Sequence, residues 1–166
     1  LLEEQQTKEA RQGLQEVGPL LKGVQEKAIA AKYHLLQGDL AYLEAVVSGG
    51  HSREAQQSVR QAYAAAQGAG QNFDDVHVRR WAEALAALGE DEAALAKLKE
   101  LSAPAAEARY RIIRQIIERR AEIPGPEAEQ QLSPLLAEFT QALSGLTPAE
   151  ECAVLAEVRI EDSEAF

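Results

Sequence analysis

The chain has 166 residues, a formal net charge of −10, one cysteine, and 46% hydrophobic but only 5% aromatic residues. A chain of this length buries roughly two-thirds of its unfolded surface, so it needs no disulfide framework, and it lacks the ~20-residue apolar run of a membrane span. Because duplex binding needs clustered lysine and arginine to displace counterions from phosphates, the acidic balance also argues against nucleic acid as a partner.

Residues that favour helices dominate the sequence, and the alternation of β-branched residues that is typical of strands is nearly absent. The sequence therefore predicts an all-α fold, organised as a single domain over 1–166 with a frayed acidic tail over 159–166. Glycine, proline and capping residues divide this domain into helices. In chain order, the predicted helices are 2–17, 20–37, 39–48, 53–67, 75–88, 91–101, 104–122, 127–144 and 148–158.

Several predicted boundaries depend on glycine or proline. Pro19 is expected to separate the first two helices, because proline is best tolerated in a first helical turn. Gly38-Asp39 is expected to end the second helix and open the third. Ser133-Pro134 is interpreted as a cap and a first-turn proline that restart the helix within 127–144.

Three helix starts carry capping signals. Ser52 is a predicted N-cap, Asp74 or Asp75 is predicted to cap the helix that follows, and Thr147 with Glu150 has the spacing of a capping box. Apolar residues at helical spacing predict the buried faces. The expected inward residues include Leu40, Leu43, Val46 and Val47; Ala55, Val59, Ala62, Tyr63 and Ala66; Val78, Trp81, Ala82, Leu85 and Leu88; and Ile112, Ile113, Ile116 and Ile117.

An apolar row with alternating spacings of three and four crosses the first two predicted helices. This spacing is typical of a helix that packs along another helix. Either one long helix is kinked at Pro19 or two helices share the row, and we favour the break. The row consists of Leu14, Val17, Leu21, Val24, Ala28, Ala31 and Leu35.

One segment resembles a tetratricopeptide repeat, namely 78–98 with the sequence VRRWAEALAALGEDEAALAKL. Ala82 and Ala94 allow two helices to approach closely, Gly89 permits a sharp reversal, and Leu85 and Leu98 fill the space within the pair. The resemblance implies antiparallel helix pairs stacked as an irregular right-handed superhelix. It is best over 20–105, with 106–158 as additional packed helices, and the alternative is an irregular helical bundle.

A second copy of the pattern is interpreted around Gly38, within 33–44, with Ala31 as its small residue. This copy has Leu43 where the first has Ala94, and Gly49-Gly50 cuts its second helix short. The two pattern glycines, Gly38 and Gly89, are 51 positions apart, which does not fit a uniform 34-residue repeat. The sequence therefore predicts an irregular array.

No pattern in the sequence indicates catalysis, a cofactor or a metal. The histidines His34, His51 and His77 lack the spacing of a metal-binding helix, and Asp74 with His77 is interpreted as a cap beside a helix-face residue. Cys152 lies between acidic and small neighbours and is expected to be a small core residue. The sequence thus predicts a protein that is not an enzyme and that needs no cofactor.

The candidate binding residues follow from the tetratricopeptide resemblance, which implies that polar residues on the first helix of each pair line a concave groove. These residues are Gln25, Lys32, Arg79 and Glu83. Arg109 projects into the apolar row of helix 104–122, within an arginine-rich stretch, and is either a helix-end residue that pairs with an acid or a contact to an anionic peptide. Pairing of these arginines with Glu107, Glu118 and Glu122 is the simpler expectation.

We therefore expect a protein–protein interaction module that binds a peptide or a partner domain in the groove of a tetratricopeptide-like array. The alternative is a structural or regulatory bundle that self-associates within a larger protein through the row from Leu14 to Leu35. A homo-oligomer is possible, and no membrane or nucleic-acid partner is expected. Localisation in the cytoplasm is the default expectation, and the lack of methionine indicates a region of a longer or processed chain.

Overall fold

A computed structural model describes residues 2–21, 27–49, 52–102, 106–121 and 126–152. Every regular element in these residues is an α-helix, so the predicted all-α class is confirmed. The residues cluster into two compact units, Leu1–Glu100 and Leu101–Phe166, and the single domain over 1–166 stays a prediction. The first unit contains α1 (Leu2–Leu21), α2 (Lys27–Val47), α3 (Arg53–Gly68), α4 (Asp75–Leu88) and α5 (Asp91–Leu98), and the second contains α6 (Ala106–Ala121), α7 (Pro126–Ser144) and the start of a further helix at 148–152.

The helix starts follow the capping signals of the sequence. The Ser52 side chain accepts a hydrogen bond from the Ala55 amide, and the Asp74 carboxylate accepts one from the His77 amide. These side chains satisfy amides that a helix leaves without partners in its first turn. The Glu150 carboxylate accepts a hydrogen bond from the Thr147 amide, and the Thr147 hydroxyl oxygen accepts one from the Glu150 amide. The predicted capping box is therefore confirmed.

The α4–α5 hairpin forms where the sequence predicts it. Gly89 ends α4 in the left-handed region, at φ 82°, which an L side chain rarely adopts, and α5 begins two residues later. Ala82 and Ala94 are fully buried, as the close approach of the two helices requires, and Leu85 and Leu98 are buried beside them. The helix–turn–helix element of 78–98 is therefore confirmed.

The predicted break at Gly38-Asp39 is wrong, because α2 runs unbroken from Lys27 to Val47. Gly38 is buried in its middle, and a Cβ at this position would overlap the ring of Tyr63 on α3. The glycine therefore serves the close approach of two helices and not a turn. As a result, the second copy of the repeat pattern, which needs a turn at Gly38, is also wrong.

Two prolines that were predicted to separate helices, Pro19 and Pro134, lie inside continuous helices instead. Pro19 lies inside α1, two residues before its end at Leu21, so the helix does not stop at 17. Proline leaves the carbonyl four residues earlier without its amide partner, and that residue, Gln15, is exposed to water. Pro134 likewise lies within an unbroken α7, on its exposed side, so the restart at Ser133 is wrong.

The buried face of α2 also differs from the prediction. Small residues, namely Ala31, Gly38, Ala41 and Ala45, form it, whereas Leu43, Val46 and Val47, which were expected to face inward, are exposed. The small residues let α3 approach closely along much of α2, which brings many atoms into contact. The row from Leu14 to Leu35 is only partly buried: Val17 is exposed, Leu14 and Leu35 are half-buried, and Val24 lies outside the described residues.

The core of the first unit is aromatic at its centre. Tyr63, Phe73, His77 and Trp81 form a cluster with ring centroids 5.4 to 6.1 Å apart, mostly edge to face. Lys97 of α5 covers the Trp81 ring, with Nζ 4.0 Å from its centroid. Trp81 is thus a core residue, as predicted from the sequence.

In the second unit, α6 packs against α7. Ile112, Ile113 and Ile116 of the predicted stripe are buried, and Ile117, its fourth member, is half-buried. Tyr110 stacks on Phe139 with ring centroids 4.9 Å apart. Cys152 is exposed, so its assignment to the core is wrong. The last described helix begins only four residues before it, and the cysteine lies on its outer side.

Candidate functional site

Asp39 ties three helices of the first unit together. Its Oδ1 accepts hydrogen bonds from the Tyr63 hydroxyl of α3 at 2.7 Å and from Nη1 of Arg80 on α4 at 2.8 Å. Its Oδ2 lies 3.4 Å from Nε2 of His77, also on α4. Hydrogen bonds to an ionised acceptor are shorter and stronger than neutral ones. One carboxylate in the middle of α2 therefore fixes the positions of α3 and α4.

The Tyr63 phenol is held in its protonated, donating form. The side chain is fully buried, and burial, followed by the hydrogen bond to Asp39 and the negative charge of that carboxylate, raises the pKa of Tyr63 well above its usual value. Only a glycine at position 38 leaves room for the ring. Gly38 and Asp39 thus act together to seat Tyr63 against α2.

A second polar contact joins α2 to α4. The Tyr42 hydroxyl donates to Oε2 of Glu83 at 2.7 Å, Nε of Arg79 donates to Oε1 of the same carboxylate at 2.8 Å, and the Arg80 guanidinium lies 5.0 Å from the centroid of the Tyr42 ring. Burial, then the hydrogen bond to Glu83 and its charge, raise the pKa of Tyr42 to about 12. We refer to Asp39, Tyr42, Tyr63, His77, Arg79, Arg80 and Glu83 as the polar hub.

The contacts of the polar hub join α2 to α4 at a constant sequence offset, which differs from the offset of the predicted repeat. Asp39 with Arg80 and Tyr42 with Glu83 are both 41 positions apart. At the same offset, the buried Ala41 and Ala45 of α2 correspond to the buried Ala82 and Ala86 of α4. α2 and α4 therefore contact each other in a constant register, and at this offset the turn after α2, not Gly38, matches the turn at Gly89.

An open groove runs along α2 on the side where α1 and α3 flank it. One part, of about 510 Å³, and an adjoining part of about 540 Å³ share Arg11, Glu44 and Ser58. From Tyr33 to Ser48 the floor spans about 22 Å of helix. The groove is lined by Thr7, Lys8, Arg11, Leu14 and Gln15 of α1, by Tyr33, His34, Gln37, Leu40, Ala41, Glu44 and Val47 of α2 with Ser48, and by Ser52, Glu54, Ala55, Ser58, Gln61, Ala62 and Ala65 in and before α3.

Polar contacts hold the α1 wall of the groove against its floor. Nε of Arg11 donates to Oε1 of Glu44 at 2.9 Å, and the Tyr33 hydroxyl donates to the Leu14 carbonyl at 3.3 Å. The Gln37 side chain in turn donates to the Tyr33 hydroxyl at 3.1 Å. The groove therefore combines alanine and leucine surface with hydrogen-bonding groups along its length.

The structure places the predicted binding residues at different kinds of position. Lys32 is exposed on α2, whereas Arg79 and Glu83 are bound to each other within the polar hub. Gln25 lies outside the described residues. Arg109 is half-buried on α6 in the second unit.

Several arginines of α6 pair along their own helix. Arg111 lies 2.8 Å from Glu107 and Arg114 lies 2.6 Å from Glu118, both at a spacing of four residues. These two pairs confirm the simpler expectation for Glu107 and Glu118, and Glu122 lies outside the described residues. The acidic residues of the second unit thus neutralise part of its arginine cluster.

The sequence singled out Arg79 and Glu83 as groove residues and not as members of a polar hub, and it did not identify the residues that line the groove. Asp39 directly follows a glycine, and this pair is typical of a turn, so its role as an interhelical acceptor was hidden. A comparison of α2 with α4 at an offset of 41 would have aligned their alanines. Within the described ranges, no group of three or more His, Cys, Asp or Glu residues is arranged to hold a metal ion.

The Asp74–His77 contact belongs to the start of α4. The Asp74 carboxylate lies 2.6 Å from Nδ1 of His77 and also accepts a hydrogen bond from the His77 amide. The amide hydrogen bond is the main reason that the pKa of this carboxyl lies below its usual value.

No described helix is both long enough and apolar enough to cross a bilayer. Comparison with protein-family models, with curated proteins and with solved structures finds no match for this chain.

Proposed function

We propose that the first unit is a protein-interaction module that binds a segment of a partner protein in the groove over α2, between α1 and α3. The observation that carries this proposal is the groove itself, which is open, about 22 Å long, and lined by both apolar and hydrogen-bonding groups. That length accommodates about four turns of an amphipathic helix. Helix-in-groove binding of this kind uses apolar anchors at helical spacing, with polar contacts at the rim.

The proposal extends to the arrangement of the helices as an irregular tetratricopeptide-like array. α2 with α3 and α4 with α5 are consecutive helix pairs whose members are separated by few residues, and the first helices of the two pairs contact each other through the polar hub. This is the contact pattern expected when two such pairs stack. The proposed array is irregular because its second helices differ in length, with 16 residues in α3 and 8 in α5.

The polar hub contributes to this function indirectly. It fixes α2 against α3 and α4, so the floor of the groove is rigid before a partner arrives. A preorganised surface loses less conformational entropy on binding than a flexible one does. Lys32 is exposed on α2 but does not line the groove, so its contact to a partner stays a prediction from the sequence.

Filling the groove with a large side chain tests directly whether the partner binds there. Ala65 of α3 lines the groove and is exposed, so Ala65→Trp places an indole within it without disturbing the core. Ala64, its exposed neighbour, does not line the groove, and Ala64→Trp is the matched control. Peptides that bind the wild-type protein are selected from a displayed library of helical sequences, and their affinities for the three proteins are measured by isothermal titration calorimetry.

We expect Ala65→Trp to weaken the selected peptides at least about tenfold, whereas Ala64→Trp leaves their affinity within about twofold. Amide chemical-shift changes caused by the peptide should map to α1, α2 and α3 around the groove. Peptides that bind Ala65→Trp as well as they bind the wild type, or a library that yields no binder, would overturn the proposal.

A further inference from the structure

The outer face of α2 carries a row of large apolar residues that the fold leaves exposed. Ile29, Leu36 and Leu43 repeat at intervals of seven and are 41%, 55% and 49% exposed. We call these three residues the outer row. Val46, one turn beyond the row, is also 55% exposed. Within the first unit, no described helix covers this face.

The outer row lies opposite the side of α2 that packs in the core. Each of its members precedes by two positions a buried small residue, namely Ala31, Gly38 or Ala45, and two positions correspond to about 200° around a helix. α2 is therefore arranged with small residues inward and large aliphatic residues outward. This is the reverse of an ordinary amphipathic helix of a monomer, whose large apolar residues face the core.

We propose that the outer row is the interface of a homodimer, in which two copies of α2 pack antiparallel. The row is symmetric about Leu36, so a two-fold axis at this residue places Ile29 of one copy against Leu43 of the other. Such self-complementarity is what a closed two-fold interface requires. The site does not coincide with the proposed groove, and loss of one leaves the other intact.

The charges on α2 favour a second copy as the occupant. The outer row contains no charged residue, although the chain carries a net charge of −10. On the same face Lys32 lies between Ile29 and Leu36, and Asp39 lies between Leu36 and Leu43, so antiparallel packing about Leu36 sets Lys32 of one copy near Asp39 of the other. Asp39 is also paired with Arg80 within each copy, so the contact brings no unpaired carboxylates together.

The exposed area also fits a dimer. The outer row and Val46 expose on the order of 350 Å² of apolar surface per copy, which is the size of patch that often marks a functional surface. Two such patches in contact bury on the order of 700 Å² of apolar surface before the flanking residues are included, which places the contact at the lower limit of ~1,000 Å² for a specific interface. The expected dimer is therefore reversible rather than obligate.

The mass of the full chain in solution tests this proposal. Light scattering and sedimentation equilibrium are expected to show a monomer–dimer equilibrium. The double substitution Leu36→Glu and Leu43→Glu should raise the dissociation constant at least about a hundredfold, because two charges then face each other within an apolar contact. The milder pair Leu36→Ala and Leu43→Ala, which favours the helix, should raise it about tenfold.

The second unit provides a matched control. Leu136 and Leu143 of α7 are also seven residues apart and are 50% and 41% exposed. Leu136→Glu with Leu143→Glu adds the same charge to the chain and is expected to leave the dissociation constant unchanged. A monomer at every concentration, or a dimer that responds equally to the α2 and α7 changes, would overturn the proposal. Circular dichroism establishes that each variant is folded.

Disulfide trapping tests the antiparallel direction. In a Cys152→Ser background, a mixture of the Ile29→Cys and Leu43→Cys proteins should form a mixed disulfide dimer, whereas either protein alone should not. Parallel helices would produce the opposite result, with each protein cross-linking to itself. That outcome refutes the two-fold arrangement about Leu36.

Discussion

Replacing Gly38 with alanine is expected to destabilise the first unit, although the same change stabilises most helices. In an open helix the added methyl group contributes up to about 1 kcal/mol by restricting the unfolded chain and shielding the backbone. At position 38 the new Cβ overlaps the Tyr63 ring. Tyr63 is fully buried and its hydroxyl is bound to Asp39, so the ring has no free space into which to move.

The loss in free energy of unfolding has two sources, the packing and the hydrogen bond of the Tyr63 ring. Repacking around an added methyl group costs about 1–3 kcal/mol in a close-packed core. Shifting the ring also weakens a hydrogen bond to a carboxylate, which is worth about 1.5–3 kcal/mol. After subtraction of the helix-propensity gain, Gly38→Ala should lower the free energy of unfolding by about 2–4 kcal/mol.

Urea unfolding followed by the fluorescence of Trp81 measures this free energy for the first unit, because Trp81 is the sole tryptophan and lies beside Tyr63. Gly13→Ala is the matched control: Gly13 is exposed in α1, and a Cβ there meets no atom within 4 Å. It should stabilise α1 by up to about 1 kcal/mol. In a Tyr63→Leu background, Gly38→Ala should cost less than half of its effect in the wild type.

The reasoning fails if Gly38→Ala is as well tolerated as Gly13→Ala. That result would mean that α2 does not approach Tyr63 as closely as the structure places it. A cost that persists unchanged in the Tyr63→Leu background would equally contradict the assignment of the effect to the ring.

Three further predictions concern single groups. Because the pKa of Tyr42 is raised to about 12 from an ordinary value near 10, its phenol stabilises the fold below pH about 10, and this contribution is lost as the pH rises through 12. Urea unfolding across this range should show the loss in the wild type and a smaller one in Tyr42→Phe, and equal slopes would contradict it. Asp74→Ala should cost about 1 kcal/mol at pH 7 and less as the pH falls below about 4, because the pKa of Asp74 is lowered in the fold; a cost independent of pH would refute the capping role. Cys152 is exposed, so a thiol reagent should label the native protein as fast as the urea-unfolded one, and protection in the native state would place the cysteine in a contact.

Local sequence was sufficient for features that depend on a few neighbouring residues. The caps at Ser52 and Asp74, the capping box after Thr147 and the turn at Gly89 each satisfy backbone groups within one helical turn. The isoleucine stripe of α6 was equally clear, because only one face of that helix is strongly apolar. In these places, propensity, capping and hydrophobic period all agree.

The face that α2 buries was determined only by its neighbours. Both sides of this helix are apolar, one with alanine and glycine and the other with isoleucine and leucine. Periodicity alone therefore predicted that Leu43, Val46 and Val47 face inward, and all three are exposed. In the fold, the small residues allow α3 to approach closely, and the large residues remain outside. The proposed groove and the proposed dimer interface both follow from this choice of face.

The sequence by itself determined that this protein is built from helices, where most of them start and how α4 turns into α5, because those features depend on backbone hydrogen bonds within a turn or two. Tertiary structure decided what Gly38 does. A glycine in a sequence can indicate either a turn with positive φ or a close approach of two helices, because both require the absence of a Cβ. At Gly38 the position of the Tyr63 ring, on a separate helix, shows that the reason is the close approach. It also decided that Asp39 joins three helices, since its partners lie 24 and 41 residues away along the chain.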